Sequence, residues 1–300
     1  MAGRVVIRPM IAVPTVLLWL GSAVVWVLAT VVVLSDWSRW WLAVTIPVHG
    51  IVTFSMFTVL HESLHSSVSR LRWVNQLFGR LSLPFVSLLA TFPMVKFMHM
   101  SHHRNTNEDI DADPDAWAQT GPWWQLPLRW LTIDAWYGRF YFGRLRSRPR
   151  KEAAWFLINL VVVMMLLLAA VFLWGWGWAV LLIWLIPQRI GLGLLGWLFD
   201  WLPHHDLTGT TKIDRFRASR VRVGWEGLMT PLLLFQNYHV VHHTNPAVPF
   251  YLLGRTWTDF ESDYLDHRVP ISTAWGCEMT PTEYRAWRRA TQRCQTMKPP

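Results

Sequence analysis

The chain alternates between long apolar runs and short charged segments. Residues 9–35, between Arg8 and Asp36, carry no charge, and neither do residues 40–61, between Arg39 and Glu62. Residues 153–188 are also uncharged, but that run is too long for one ordinary span, since about 20 apolar residues cross a bilayer. Extended through Arg189 to 199, it fits a helical hairpin that turns at Trp174-Gly175-Trp176-Gly177-Trp178. Four spanning helices are therefore predicted, over about 10–34, 40–60, 154–174 and 178–199. Residues 81–95 are apolar but short and contain two prolines, which predicts a re-entrant or interfacial segment. The first span outruns the roughly 7–15 apolar residues of a secretory signal and is read as retained.

The cations orient this array. Residues 61–152 hold 12 Lys and Arg, the region after Leu202 holds 12, and Arg4 and Arg8 precede the first span. The first short loop holds only Arg39, and Arg189 is the one formal charge inside a span. Positive residues collect on the cytoplasmic side, so both termini and the 61–152 segment are expected there. Trp37, Trp40, Trp41, Trp174, Trp176 and Trp178 mark the opposite interface as an aromatic belt.

Composition agrees. Of 300 residues, 52% are hydrophobic and 16% charged, with 22 Trp, against about 25% charged in soluble domains. Disorder is excluded. Two cysteines, Cys277 and Cys294, make neither a disulfide scaffold nor a four-thiolate cluster. The net charge of +9 is accounted for by membrane orientation, and no nucleic-acid partner is expected.

Ten of the 12 histidines fall in four tight groups: His61 and His65; His99, His102 and His103; His204 and His205; His239, His242 and His243. The topology brings all four to the cytoplasmic side. Residues at i, i+3 and i+4 share a helix face, so His-x-x-x-His presents two imidazoles together and His-x-x-His-His presents three. Neutral imidazole suits iron, zinc, copper and nickel. Nine or ten such ligands exceed one six-coordinate ion and suit two. His49 and His267 stand apart and are read as non-ligands.

These boxes resemble the membrane fatty acid desaturase/hydroxylase superfamily. Within it, Phe199 to His204, Asp214 to Arg220, Gln236 to His243 and the run from His99 to Asp115 are similar to the carotenoid-ring (β-carotene) hydroxylase branch. The resemblance spans roughly residues 55–255. It implies a four-helix membrane domain with a cytoplasmic helical cap over two iron ions. It also implies nine ligands: His61, His65, His99, His102, His103, His204, His239, His242 and His243. His205 stands as a tenth ligand, a proton carrier or a bystander. Glu62 replaces an expected Asp, and Asn245-Pro246 an expected apolar residue. Both departures bear on substrate rather than on metal.

The expected fold is an all-α integral membrane protein, with a desaturase-like domain over 1–260 and a cytoplasmic tail over 261–300. Carboxylates commonly orient ligand histidines, and Glu62, Asp111, Asp113, Asp115 and Asp200, with Asn237, are the candidates. The expected activity is O2-dependent oxidation of an unactivated lipid C–H bond, as carotenoid-ring hydroxylation, with acyl-lipid desaturation the alternative. The chain offers no iron–sulfur set and no dinucleotide site, since Gly191-x-Gly193-x-x-Gly196 follows no strand and reads as helix packing. Electrons are then expected from a separate acidic, ferredoxin-like carrier, with the Arg144, Arg146, Arg148, Arg150 and Lys151 cluster as its dock. His61-Glu62-x-x-His65 also spells a zinc-protease motif, which leaves the other boxes unexplained. A transporter or metal-binding membrane protein is the third reading.

Overall fold

The computed structural model describes residues 8–35 and 39–296, the side chains of 292–296 excepted. Arg4, Asp36 and Trp37 therefore lie outside the described residues, as does the Cys294 side chain. Four helices are long and apolar enough to cross a membrane: Val13–Leu34, Arg39–Leu64, Arg150–Phe172 and Gly177–His204. They fall on the four predicted spans. The last two form the expected hairpin, whose turn sets Gly175 at φ +69°, a conformation glycine adopts without steric penalty.

The second apolar helix packs between the first and the fourth. The first helix buries Thr15, Ser22 and Ala29, which recur every seven residues and form a seam of small side chains. Gly50 lies so close to Ile190 that an added Cβ would sit 2.8 Å from it, and Gly191 faces Thr53 in the same interface. Thr30 Oγ1 lies 3.0 Å from His49 Nε2, and His49 Nδ1 lies 2.7 Å from the Thr45 carbonyl. His49 thus ties the first two helices together within the apolar layer.

Within residues 81–95 the chain breaks at 87–91, between two helices, Arg72–Val86 and Phe92–Asn105. Freed backbone carbonyls are costly in apolar surroundings unless paired. Here Thr53 Oγ1 donates to the Phe85 carbonyl at 3.0 Å, Gln188 Nε2 to Val86 at 2.7 Å, and Asn159 Nδ2 to Leu88 at 3.0 Å. Three of the four apolar helices thereby hold one irregular strip of chain. The fourth helix has its own irregularity, two wide π-type turns at Val180–Leu185 and Gly196–Trp201. Such turns often mark functional positions, and the second immediately precedes His204.

One expectation needs correction: the fold is mostly helical but not all-α. Strand β1 (Val221–Val223) pairs in parallel with β2 (Ile271–Thr273), which pairs antiparallel with β3 (Glu278–Met279). Strands of two or three residues show no alternation long enough to read. The sheet backs a core of Val221, Val240, Val241, Trp257, Tyr264 and Tyr284. The segment expected as a tail supplies β2, β3, Tyr264 and Tyr284 to that core. Full burial of such side chains contributes roughly 1.5–3 kcal/mol each, so residues 261–296 help fix the short helix His239–Thr244 that carries three histidines.

Candidate metal centre

His61 and His65 end the second apolar helix, and His204 ends the fourth. Both helices run the same way, so these ends meet on one side. Helix Phe92–Asn105 adds His99, His102 and His103, and helix His239–Thr244 adds His239, His242 and His243. The structure sorts these nine into two groups. His61, His65, His99, His103 and His242 form one; His102, His204, His239 and His243 form the other. Within each group one ring nitrogen per residue lies within 4.8 Å of all the others. His103 and His243 stack across the two groups with ring centroids 4.4 Å apart.

The ring nitrogens are set up as donors to a metal. His204 Nδ1 donates to the Ala218 carbonyl at 2.9 Å, His239 Nδ1 to Gln236 Oε1 at 2.8 Å, and His102 Nδ1 to Asp113 Oδ1 at 2.9 Å. At His204 and His239 the bond puts the proton on Nδ1 and leaves Nε2 as a bare lone pair, and at His102 it fixes which nitrogen faces the carboxylate. His204 Nε2 is buried without a hydrogen-bond partner. In the first group, Nε2 atoms face one another at 2.7 Å for His65 and His99, 3.0 Å for His61 and His242, and 3.0 Å for His242 and His103. Ligand nitrogens about 2.1 Å from one ion and at right angles stand about 3.0 Å apart. The donor set and its spacing therefore fit two metal ions.

Charge supports the same conclusion. Burial first, and neighbouring histidines second, hold His99, His103 and His243 well below the usual imidazole range. They are neutral and free to ligate. His102 differs. Burial disfavours its cation, but Asp115 and Asp113 outweigh burial and push its pKa up to about 9. Carboxylates that stabilise a proton on this ring would also stabilise positive charge held at it. Burial raises Asp115 to about 6 against the pull of His102, and the Tyr137 hydroxyl donates to Asp115 at 2.5 Å.

The remaining candidates divide. Asp113 and Asp115 sit on His102 at 2.9 and 3.3 Å. Asp200 is buried and lines the cavity below the histidines. Asp111 is exposed, and its carbonyl accepts from Arg144. Asn237 is buried, and its Nδ2 reaches the Arg222 carbonyl at 3.4 Å. Glu62 is buried beside Ser67 and the Phe250 backbone, outside both histidine groups. A zinc protease needs that Glu at the metal. His205 lies flat on Trp201, centroids 3.8 Å apart, with Nδ1 on the Trp201 carbonyl at 3.0 Å. It joins neither histidine group. His267 stacks on Phe216 at 3.8 Å.

Three supporting groups escaped the sequence reading. Gln236 stands three residues before His239, the same-face spacing that could have revealed it. Tyr137 lies 22 residues from Asp115 with no local signal, and a backbone carbonyl such as that of Ala218 leaves no trace in sequence.

A cavity of ≈ 340 Å³ opens beneath the histidines. His99, His102, His239, Asp115 and Asp200 meet it at one end, and Leu83, Val86, Met94, Leu192, Leu195 and Phe199 form its apolar wall. Arg189 and Asp134, paired with each other, also line it. Arg189 is thus neutralised by a residue of helix Ile133–Gly143 rather than left as a bare charge in the apolar layer. Gly193 and Gly196 face Leu131 and Trp130 instead of the cavity, so they serve packing.

Two clusters of imidazoles that could hold metal ions border an apolar cavity and are carried on membrane-type helices. Residues 35–275 match the fatty acid desaturase family, and the chain belongs to it. Its relatives are desaturase and hydroxylase-type oxidoreductases acting on different lipids. The chain is 24% identical over 264 residues to the sn-1 oleoyl-lipid 12-desaturase of Picosynechococcus sp., covering 75% of this chain and 71% of the relative. It is 29% identical over 217 residues to a beta-carotene ketolase of Paracoccus sp., covering 69% and 75%. It is 28% identical over 220 residues to the sn-1 acyl-lipid omega-3 desaturase (ferredoxin) of Nostoc sp., covering 70% and 52%. The protein is accordingly an oxidoreductase of the desaturase/hydroxylase class.

Proposed function

We propose that the protein hydroxylates a carotenoid-type ring with O2 at a centre of two iron ions. One iron is held by His61, His65, His99, His103 and His242, and the other by His102, His204, His239 and His243. The observation that carries this reading is the apolar cavity, whose end is formed by His99, His102 and His239. A reacting carbon must come within a few ångströms of the metal, and this cavity brings apolar matter there. Bound in these groups, iron supplies the O2 activation that an unactivated C–H bond requires.

The chain's own residues do the rest. Asp113, Gln236 and the Ala218 carbonyl fix three imidazole orientations through Nδ1. Leu192, Leu195, Phe199 and Met98 exclude water beside the reacting carbon. Phe142, Phe156 and Leu160 complete the wall on the side of the third apolar helix, where a substrate arrives from the bilayer. Both termini and the metal centre lie on the cytoplasmic side in this reading, which the cation distribution supports. The ring assignment is supported by the residues flanking His204 and His239 and by the Paracoccus relative, which acts on beta-carotene by its name.

Acyl-lipid desaturation is the second reading, supported by the oleoyl-lipid relative that covers 75% of this chain. Mass analysis of lipids from a pigment-producing host expressing the protein separates the two. A pigment heavier by one oxygen supports hydroxylation. A lipid lighter by two hydrogens, with no oxygen added, overturns it in favour of desaturation.

A further inference from the structure

Oxidising one C–H bond with O2 needs two electrons and two protons from outside: RH, O2, two electrons and two protons give ROH and H2O. In the Arg144–Lys151 cluster, expected as the dock for the protein that brings those electrons, two of the five cations already have partners. The Arg148 guanidinium lies 4.1 Å over the Phe97 ring and bonds Glu152 at 2.7 Å. The Arg144 guanidinium lies 3.4 Å over Phe140. Both are engaged within the fold.

We propose that an acidic electron-carrier protein docks at a polar cleft behind His204, contacting Arg217 and Arg268. This rests on the iron-centred reading above. The cleft, of ≈ 270 Å³, is lined by Asp206, Gly209, Arg217, Arg220, Arg268 and Glu278 among others. Arg217 and Arg268 are exposed. Arg220 is buried, its Nη2 donates to the His205 carbonyl, and its Nε has no hydrogen-bond partner. Among the described residues, none of the three arginines forms an ion pair with Asp206 or Glu278, the two carboxylates of the same cleft. Exposed Arg215 extends the positive face, and Lys212 beside it pairs with Glu108 at 3.6 Å. Unpaired arginines grouped around a concave surface suit carboxylates presented by a partner.

The route inward is short. Arg217 and Gly209 press together, so that a Cβ on Gly209 would sit 2.6 Å from the Arg217 carbonyl oxygen. Asn107 Nδ2 donates to the Gly209 carbonyl at 2.7 Å and to the Ala218 carbonyl at 2.9 Å. That same Ala218 carbonyl accepts from His204 Nδ1 at 2.9 Å. An electron arriving at the cleft crosses one peptide group and one hydrogen bond to reach a ring of the histidine centre.

The test is binding of a plant-type [2Fe–2S] ferredoxin to the full chain in nanodiscs at low salt. The Arg217→Glu/Arg268→Glu double variant should raise Kd tenfold or more, about 1.4 kcal/mol, with iron content unchanged. Arg146→Glu should change Kd less than twofold. An unchanged Kd in the double variant, or an equal loss in Arg146→Glu, overturns the proposal. So does a cleft that binds inorganic phosphate in the wild type but not in the double variant while ferredoxin affinity stays the same, which would make it a small-anion site. A peroxide-driven reaction bypasses the carrier. Absence of oxidised lipid there sinks the functional reading and leaves the docking measurement standing.

Discussion

Tyr137 donates a 2.5 Å hydrogen bond to Asp115, whose other carboxylate oxygen lies 3.3 Å from His102 Nδ1. A phenol on helix Ile133–Gly143 thus positions a carboxylate that positions an imidazole. Removing such outer partners commonly costs 10–100-fold in metal affinity or activity. Asp113→Ala, which removes the 2.9 Å partner of His102, should lower metal affinity by about that much, read as iron retained after dialysis against a chelator. Tyr137→Phe leaves both carboxylates in place and should retain iron while slowing turnover. Equal iron loss in both variants would mean that Tyr137 supports the fold rather than the centre.

Metal content is the second prediction. Purified protein should hold about two irons per chain, since the nine imidazoles divide into groups of five and four. His242→Ala and His102→Ala each break a different group and should each abolish activity and lower iron. Glu62→Gln should keep its iron, because Glu62 lies outside both groups. A single zinc, with Glu62→Gln inactive and His239→Ala active, would reinstate the protease reading.

The fourth apolar helix separates packing from substrate binding on adjacent residues. An added Cβ at Gly196 would sit 2.7 Å from Trp130 Cβ, so Gly196→Leu should lower folding yield and iron together. Leu195 lines the cavity, and Leu195→Trp should lower turnover with iron content intact. Normal folding of Gly196→Leu with a selective loss of turnover would return the glycine to the substrate path.

Topology is tested independently of chemistry. Reporters fused after Leu34 and after Gly175 should read the side opposite to reporters fused after Arg72 and after Pro300. Agreement of all four on one side would remove the four-crossing arrangement and, with it, the placing of the centre at the cytoplasmic face.

Much of this architecture was legible because its signals are local. Uncharged runs gave the four apolar helices, the Trp-Gly repeat gave the hairpin turn, and His-x-x-His-His spacing gave imidazoles that share a face. What stayed hidden depends on contacts between distant segments. The pairing of Val221 with Ile271 joins strands too short to show alternation. The Arg189–Asp134 pair joins residues 55 positions apart. The sorting of adjacent His102 and His103 into different groups depends on where two other helices end. Asp111 and Asp115 look alike in one acidic run, and only folding buries one and exposes the other.

The strip of chain at 85–88 hangs from Thr53, Asn159 and Gln188, one on each of three apolar helices, and it walls the cavity at Val86 and Ser87. The cavity wall is therefore suspended from three apolar helices, and helices of that kind, once in a bilayer, adjust their tilt to its thickness. A change in their relative tilt would pull on that wall through three hydrogen bonds. The girth of the ligand that the cavity admits at Val86 and Ser87 would then follow the lean of those three helices.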